Sequence, residues 1–502
     1  MTNKPSFKNF LTQVTGKGVL PIWKEFLLNS DDAVTAYSKI RCSPFSFLFE
    51  SVVGGDQWAR YTLLGTKPSE MWRFRRGVVE VWTPTNPWES LETVDPLEDL
   101  SNRLEERRPL ISNDLPKFWG GAVGYFGYDV VRMIESLPNR PHDDLDLPDS
   151  LFAFMDVVLV VDNLSGSAMA IASVEVDPDL GELELKVRYE MAEEKIKDLI
   201  NTIKTDSAPF DIELREREEP ADDPEFSSTM EQEGFEENVS KIRDLITAGD
   251  VFQVVISQRL SMPMAGTSFD LYRVLRKLNP SPYLYLLEIE DFSLVGSSPE
   301  VLVRLRDQKI TVRPIAGTRP RGKSSQEDID LELDLRTDEK ELAEHRMLVD
   351  LGRNDLGRVA DYGSIAVTDL MVVERYSHVM HLVSQADGTL RQGLSAMDVF
   401  RACFPAGTVT GAPKVRAMEI IDELEPCGRG PYAGAVGYFG WGGLSMDLAI
   451  TIRTVLVSEG KAFVQVGAGV VADSDPTREF EETLNKARAL LKAVAMLENG
   501  RR

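Results

Sequence analysis

Polar and apolar positions alternate in short runs over the first part of the chain. FSFLFESVV from Phe45, RYTLLG from Arg60, MWRFRR from Met71, VVEVWTP from Val78 and LFAFMDVVLVVDNLSGSAMAIASVEV from Leu151 are β-branched or aromatic runs broken by Gly, Pro and Asn-Leu-Ser-Gly. Such runs are strands joined by turns. The apolar step then lengthens to three and four residues in ELKVRYEMAEEKIKDLINTIK, which predicts a helix. TDSAPFDIELREREEPADDPEFSSTM, with acidic runs, prolines and few large apolar side chains, predicts a linker over 206–232 between segments 1–205 and 233–502. Beyond it the types mix. FEENVSKIRDLITAGD and FDLYRVLRKLNP read as helices, the second stopped before Pro280, while VFQVVISQRL, YLYLLEIED, FSLVGSS and VLVRLRDQKITVRPIAG read as strands. The alternation lacks the steady rhythm of a doubly wound sheet, so the expected class is α+β with antiparallel sheets.

One heptapeptide, GAVGYFG, occurs at Gly121–Gly127 and again at Gly434–Gly440. Glycines three apart fall on alternating faces of a strand, and glycine inside a strand marks a bulge or a close backbone approach. The copies read as packing strands in equivalent places of a pseudo-symmetric body.

At 502 residues the chain exceeds what one core supports, which predicts two domains or a large two-sheet body. A net charge of −25 argues against a nucleic-acid or anionic-membrane partner. A small anionic substrate remains open, provided the site supplies local Arg, Lys or a metal. Cys42, Cys403 and Cys427 are too scattered for a disulfide framework or a metal clip, so a reducing, cytoplasmic setting is expected. MTNKPSFKNF is not a signal-peptide pattern, and no stretch nears the roughly 18 apolar residues of a membrane helix.

Two segments carry paired carboxylates at helical spacing. TDEKELAEHRMLVDLGRNDLGRV predicts a helix capped by Thr337 and stopping at Gly352, with Glu341, Glu344 and Leu348 on one face. DPTREFEETLNKARALLKAVAML predicts a helix capped by Asp475 with Pro476 in its first turn, and Glu479, Glu482 and Lys486 on one face. Two such faces either hold a hard cation between them or are simply solvated. Of four histidines, His378 and His381 in YSHVMHLVS are three apart on a strand and point to opposite faces. FPAGTVTGAPKVRAMEIIDELEP is a Gly-rich turn entering a helix, a setting that attracts anions. Its order Gly411-Ala412-Pro413-Lys414 is not a phosphate-binding P-loop, and VQVGAGVVADSDP lacks the chain a dinucleotide fold would need after it.

PIAGTRPRG, EHRMLVDLGRNDLGRV, YSHVMHL, FPAGTVTGAPKVRAMEIIDELEP, YAGAVGYFGWGGLSMDLAITIRT and VQVGAGVVADSDPTREFEETLNKA together resemble the chorismate-utilising enzymes, in order and spacing, over 235–492. FLFES, RYTLLG and GGAVGYFGYDVVR are similar to the N-terminal half of the anthranilate-forming members. The resemblance implies two packed antiparallel sheets with helices outside, and a Mg²⁺-dependent site. It implies Glu344 and Glu482 as Mg²⁺ ligands, with Glu341 and Glu479 acting through water. Arg453, Lys486, Tyr432 and the backbone of Gly469 would take the carboxylates of chorismate, and Gly317, Thr318 and Thr408 would line its ring. The second GAVGYFG copy would then be an active-site strand, and the first a structural strand in the equivalent sheet.

The resemblance also implies the chemistry. Glu300 would protonate the departing 4-hydroxyl. Gln253 stands where water-adding members resemble one another in a basic lysine, which favours ammonia as nucleophile. Ala316, where the aminodeoxychorismate-forming members have lysine, favours the anthranilate branch, with His381 moving the proton for pyruvate elimination and His378 structural. No nucleophilic Cys elbow is present, so ammonia is expected from a separate glutamine amidotransferase subunit, in a heterotetramer. The branch's tryptophan feedback site would fall on Leu48, Glu50, Ser51, Pro282, Tyr283 and Leu284, with Phe49 and Leu284 differing from the usual residues. A catalytically dead regulatory subunit would show gaps among the metal, acid and carboxylate positions, and none is seen.

Overall fold

The computed structural model describes residues 5–28, 32–51, 60–110, 115–205, 224–376 and 379–498. Most of the 206–232 segment and His378 lie outside the described residues. Two antiparallel sheets of twelve strands each form the body. The first runs from β1 (Gly18–Leu27) through β10 (Ser167–Val176), β9 (Val157–Asp162) and β3 (Tyr61–Thr66) to β2 (Phe45–Glu50). It continues through β13 (Tyr283–Ile289), β14 (Phe292–Ser298), β23 (Thr454–Ser458), β24 (Lys461–Val470), β12 (Gln253–Pro263) and β11 (Ser227–Ser228), with β20 (Gly411–Ala412) also on β12. The second runs from β17 (Ile315–Pro320) through β19 (Val379–Thr389), β16 (Lys309–Val312), β15 (Val301–Arg306) and β22 (Met446–Ile450) to β21 (Ala435–Gly440). It continues through β7 (Gly121–Phe126), β8 (Ser150–Met155), β4 (Glu70–Arg75), β5 (Val78–Thr83) and β6 (Asn86–Leu91), while β18 (Ala366–Arg375) pairs with β19.

The helices are α1 (Phe7–Leu11), α2 (Ala33–Ile40), α3 (Pro96–Glu105), α4 (Glu182–Lys204), α5 (Gln232–Ala248) and α6 (Ser268–Leu278). They are followed by α7 (Ser325–Thr337), α8 (Glu339–Gly357), α9 (Ala396–Cys403), α10 (Lys414–Leu424) and α11 (Pro476–Glu498). Inner faces of both sheets, with Phe47, Tyr285 and Leu294 from one and Val123, Tyr125 and Leu151 from the other, make the central core. Helices α2, α4, α6 and α11 cover the first sheet outside, and α3 and α9 the second. The period-two strand pattern puts alternate side chains into these separate cores.

Both sheets are palindromic. β2 and β13 lie side by side at the middle of the first, and β7 and β21, the two GAVGYFG strands, at the middle of the second. Gly124 faces Gly437, Gly121 faces Gly440 and Ala435 faces Phe126. The copies therefore sit in one sheet as partners across a local two-fold axis, not one in each of two equivalent sheets. A Cβ on Gly124 would fall 1.9 Å from Leu151 O, and one on Gly437 2.0 Å from Asp447 O. Cross-axis ion pairs repeat the symmetry: Arg41 donates to Glu288 at 2.8 Å, and Arg276 donates to Glu50. Strands from before and after the linker thus share both sheets.

Candidate active site

α8 packs on β17 and β19, and α11 on β24, so each brings one carboxylate pair to the same cleft. The first turn of α8 meets the loop before α11, where Lys340 pairs with Asp473 at 3.4 Å. The cap of α8 is Asp338, which accepts from the amides of Lys340 and Glu341. Thr337 instead ends α7, its hydroxyl bonding back to Leu333 O. Nor does Gly352 stop the helix, which runs to Gly357. Its lack of a side chain accommodates Val312, whose Cγ2 would lie 3.1 Å from an added Cβ. Asp475 caps α11 as expected, accepting from Arg478 N at 3.0 Å.

Each carboxylate has protein company. Gln253 Nε2 donates to Glu344 at 2.9 Å, Arg319 Nη1 to Glu341 at 3.2 Å, and Lys486 pairs with Glu482 at 2.7 Å. Burial raises the pKa of Glu341 and of Glu479, and the neighbouring Glu344 and Glu482 add to it. Four carboxylates on two facing helices are a donor set suited to a hard divalent cation. As they stand, no three Asp, Glu, His or Cys side chains among the described residues are spaced to ligate one ion.

Glu300 sits in the turn between β14 and β15, 7% exposed, with Thr408 Oγ1 donating to it at 3.3 Å. Burial pushes its carboxyl up to about 8. It borders a small cavity shared with Pro314, Leu348, Thr408 and Ile450. The turn holding Thr408 packs against both α8 and β24, which ties the acid to the carboxylate cleft. On β17, Gly317 has φ +69° and a Cβ there would lie 3.2 Å from Glu341 Oε2, so only glycine fits the bend beside the carboxylates. His381 Nδ1 lies 3.1 Å from Gly317 O and 3.0 Å from Thr318 Oγ1. Burial lowers its pKa, so the imidazole is neutral at pH 7. With Nδ1–H donating to the carbonyl, Nε2 keeps its lone pair.

The opposite wall comes from β24 and the residues flanking β21 and β22. Tyr432 is buried against Gly467, where a Cβ would come within 2.7 Å of its hydroxyl, and burial raises its pKa to about 12. Lys486 Nζ donates to Gly467 O at 2.9 Å, and Arg453 Nη1 to Lys486 O at 3.0 Å. Gly469 leaves room for the Gln253 amide, whose Oε1 is buried without a partner among the described residues. A chain folded this way gathers acid, amide, neutral histidine and half-buried cations around one cleft.

Glu50, Ser51, Pro282, Tyr283 and Leu284 line a second pocket of about 390 Å³ between the sheets. Leu48 does not. The pleat turns it outward into the helix-covered core, and Phe49 faces the pocket instead. The sequence reading missed the charges here: Arg304 and Arg306 both donate to Asp447 Oδ2 at 2.8 Å, and Tyr283 donates to Oδ1 at 2.9 Å. Burial opposes ionisation of Asp447, but the two arginines outweigh it and hold its carboxyl below the ordinary range. The signal was legible as two arginines two apart in VLVRLR, one face of one strand. Arg319, also missed, stands in PIAGTRPRG directly after Thr318. Val436, Gly437 and Tyr438 of the second GAVGYFG copy line this pocket, while Tyr432 just before it lines the cleft.

Residues 49–492 match the family described as chorismate binding enzyme. The chain is 47% identical over 486 residues to anthranilate synthase component 1 of Pseudomonas putida, covering 96% of this chain and 97% of that one. Anthranilate synthase component I from Streptococcus pneumoniae superposes with a TM-score of 0.75 at 36% identity, over 93% and 99% of the two chains. The menaquinone-specific isochorismate synthase of Escherichia coli shares the fold, TM-score 0.69 at 18% identity, over 97% and 98%. The chain belongs to the chorismate-binding enzymes, in their anthranilate synthase component 1 branch. No helix among the described residues is long and apolar enough to cross a membrane.

Proposed function

We propose that the chain converts chorismate and ammonia to anthranilate and pyruvate in tryptophan biosynthesis, as the large subunit beside a glutamine amidotransferase that supplies the ammonia. One observation supports the reading: Glu300, a buried acid whose carboxyl burial pushes up to about 8, accepts from Thr408 just before β20, the strand that pairs with Gln253. Glu300 gives its proton to the departing 4-hydroxyl, which leaves as water while ammonia adds at C2. The unpartnered Oε1 of Gln253 is an acceptor for ammonia's N–H, and no base is required. His381 Nε2 then takes the C2 proton and returns it as the enolpyruvyl group leaves as pyruvate. Arg453, Tyr432 and Lys486 bind the substrate carboxylates, and Gly317, Thr318, Thr408 and the Gly469 backbone line the ring. Glu344 and Glu482, with Glu341 and Glu479 behind, would hold Mg²⁺, which when bound neutralises the ring carboxylate.

Residues 1–205 with 279–284 form the regulatory part of this reading, and 233–502 the catalytic part. The pocket at Ser51 and Tyr283, with a carboxylate and two arginines in an apolar wall, suits an aromatic amino acid, and we assign it to inhibitory tryptophan. Purified protein with chorismate, Mg²⁺ and ammonium, followed by anthranilate fluorescence and pyruvate release, tests the reaction. Omitting Mg²⁺ abolishes it, and L-tryptophan inhibits it. Accumulation of 4-amino-4-deoxychorismate without anthranilate would instead assign the chain to the folate branch against the indication of Ala316.

A further inference from the structure

The two-fold relation can be followed residue by residue. Leu63 pairs with Val160 as Leu294 pairs with Leu456, which aligns Gly65-Thr66-Lys67-Pro68-Ser69 with Gly296-Ser297-Ser298-Pro299-Glu300. Ser69 N bonds Phe154 O at 3.0 Å, and in the other half Ile450 N bonds Glu300 O at 3.0 Å. Ser69 therefore stands at the position of the acid. Leu159 pairs with Ala170 as Val455 pairs with Val464, so Val157 stands at the position of Arg453 and Asp156 at that of Ile452. β10 and β24 are both ten residues long, and α4 and α11 both twenty-three, which places Ala192 opposite Lys486 and Arg188 opposite Glu482.

At these strand ends the N-terminal half holds a pocket of about 580 Å³, larger than the one at Tyr283. Its floor is apolar, with Leu64, Leu159 and Val157, and Trp82 forms one side. Asp156 is the acid of that floor, with Lys195 Nζ 3.9 Å away and half exposed. At the positions of the cleft's Arg453 and Lys486 stand Val157 and Ala192, while Asp156, Asp198, Lys67 and Lys195 line this pocket.

We propose that this pocket is a second small-molecule site, which takes a compact apolar molecule carrying one ammonium group, the ammonium on Asp156 and the body between Leu64, Leu159 and Trp82. Burial raises the pKa of Asp156 even though Lys195, a Ser69 hydrogen bond and Arg107 act against it, and a bound cation would relieve what remains of that cost.

The probe is 2-phenylethylamine, with phenylacetate as its anionic counterpart. Saturation-transfer NMR and calorimetry on the full chain, with excess L-tryptophan present to occupy the pocket at Tyr283, read binding. Transfer from 2-phenylethylamine and none from phenylacetate is expected. Asp156→Asn should weaken binding about tenfold or more, roughly 1.4 kcal/mol, with the melting temperature and catalytic rate unchanged. Thr202→Trp, which fills the pocket from α4 without touching the carboxylate, should abolish it. Absence of transfer, equal transfer from phenylacetate, or wild-type affinity in both variants overturns the proposal.

Discussion

Glu300 owes its raised pKa to its surroundings. Burial outweighs the Thr408 hydroxyl and the Ile315 backbone bond and pushes this carboxyl up to about 8, so it is an acid at the pH where water-exposed glutamates are bases. With free ammonia held saturating at every pH, the rate should fall above about pH 8 as Glu300 ionises. Glu300→Gln should lower kcat by about 10²–10⁴ in the fluorescence assay. Stability carries the same signature. Between the ordinary carboxylate range and pH 8 the folded state keeps a proton that the unfolded chain has released, so wild-type stability declines as pH rises through that window. The glutamine variant lacks this decline, so in thermal melts its advantage over wild type should grow from about pH 5 to pH 8 and then level off. His381→Asn should separate the two stages, leaving chorismate consumption in place while chromatography shows an aminated product in place of anthranilate.

Helix α8 is positioned by its first turn. Asp338 both caps it and, with Asp334 and Glu341, receives Arg319 at 2.7, 2.6 and 3.2 Å respectively. Asp338→Ala should cost about 1 kcal/mol in chemical denaturation and raise the Mg²⁺ concentration needed for half activity, because the Glu341 face loses its anchor. Among strands, Gly124→Ala places a methyl against the neighbouring backbone, with no flexible side chain to yield. A loss of about 2–3 kcal/mol and poor soluble yield are expected. Much at this scale was legible beforehand: alternation gave the strands, three–four periodicity gave α4, α5 and α6, and Asp475-Pro476 gave the start of α11. The α8 cap was misplaced because Thr337 and Asp338 are both good caps in sequence, and only packing onto Arg319 chooses between them. Leu48 was misassigned because adjacent strand residues face opposite ways, and a motif does not say which face is the pocket. The carboxylate pairs stood out by their helical spacing, whereas Glu300, Gln253 and His381 were singled out only through the family resemblance. The Arg304–Arg306 pair was legible as one strand face, but its partner Asp447 was not, since it lies far off in sequence and meets them only through β15–β22 pairing.

The molecule as a whole is held by two central seams, β2 on β13 and β7 on β21. Each half leaves a long strand edge that the other covers. Residues 1–205 expressed alone should be soluble only poorly and melt without a cooperative transition, whereas the full chain should show coincident transitions by fluorescence and near-ultraviolet circular dichroism. Such interleaving also explains why the sequence division into 1–205 and 233–502 does not correspond to separate bodies in space. The twice-written heptapeptide is the visible trace of this arrangement, lying where each half meets its counterpart.

That position has a further implication. In a dimer of identical halves, any substitution is made twice, and a change that ruins one cleft ruins both. Joined in a single chain, the halves mutate separately while remaining obliged to fit one another along the seams. One copy can keep its acid, its cations and its carboxylates. The other, released from chemistry but not from architecture, is free to trade a glutamate for a serine and an arginine for a valine. Two halves in one chain allow a division of labour, while Gly124 and Gly437, facing each other at the axis, are each held to glycine by the backbone of the next strand in their own half.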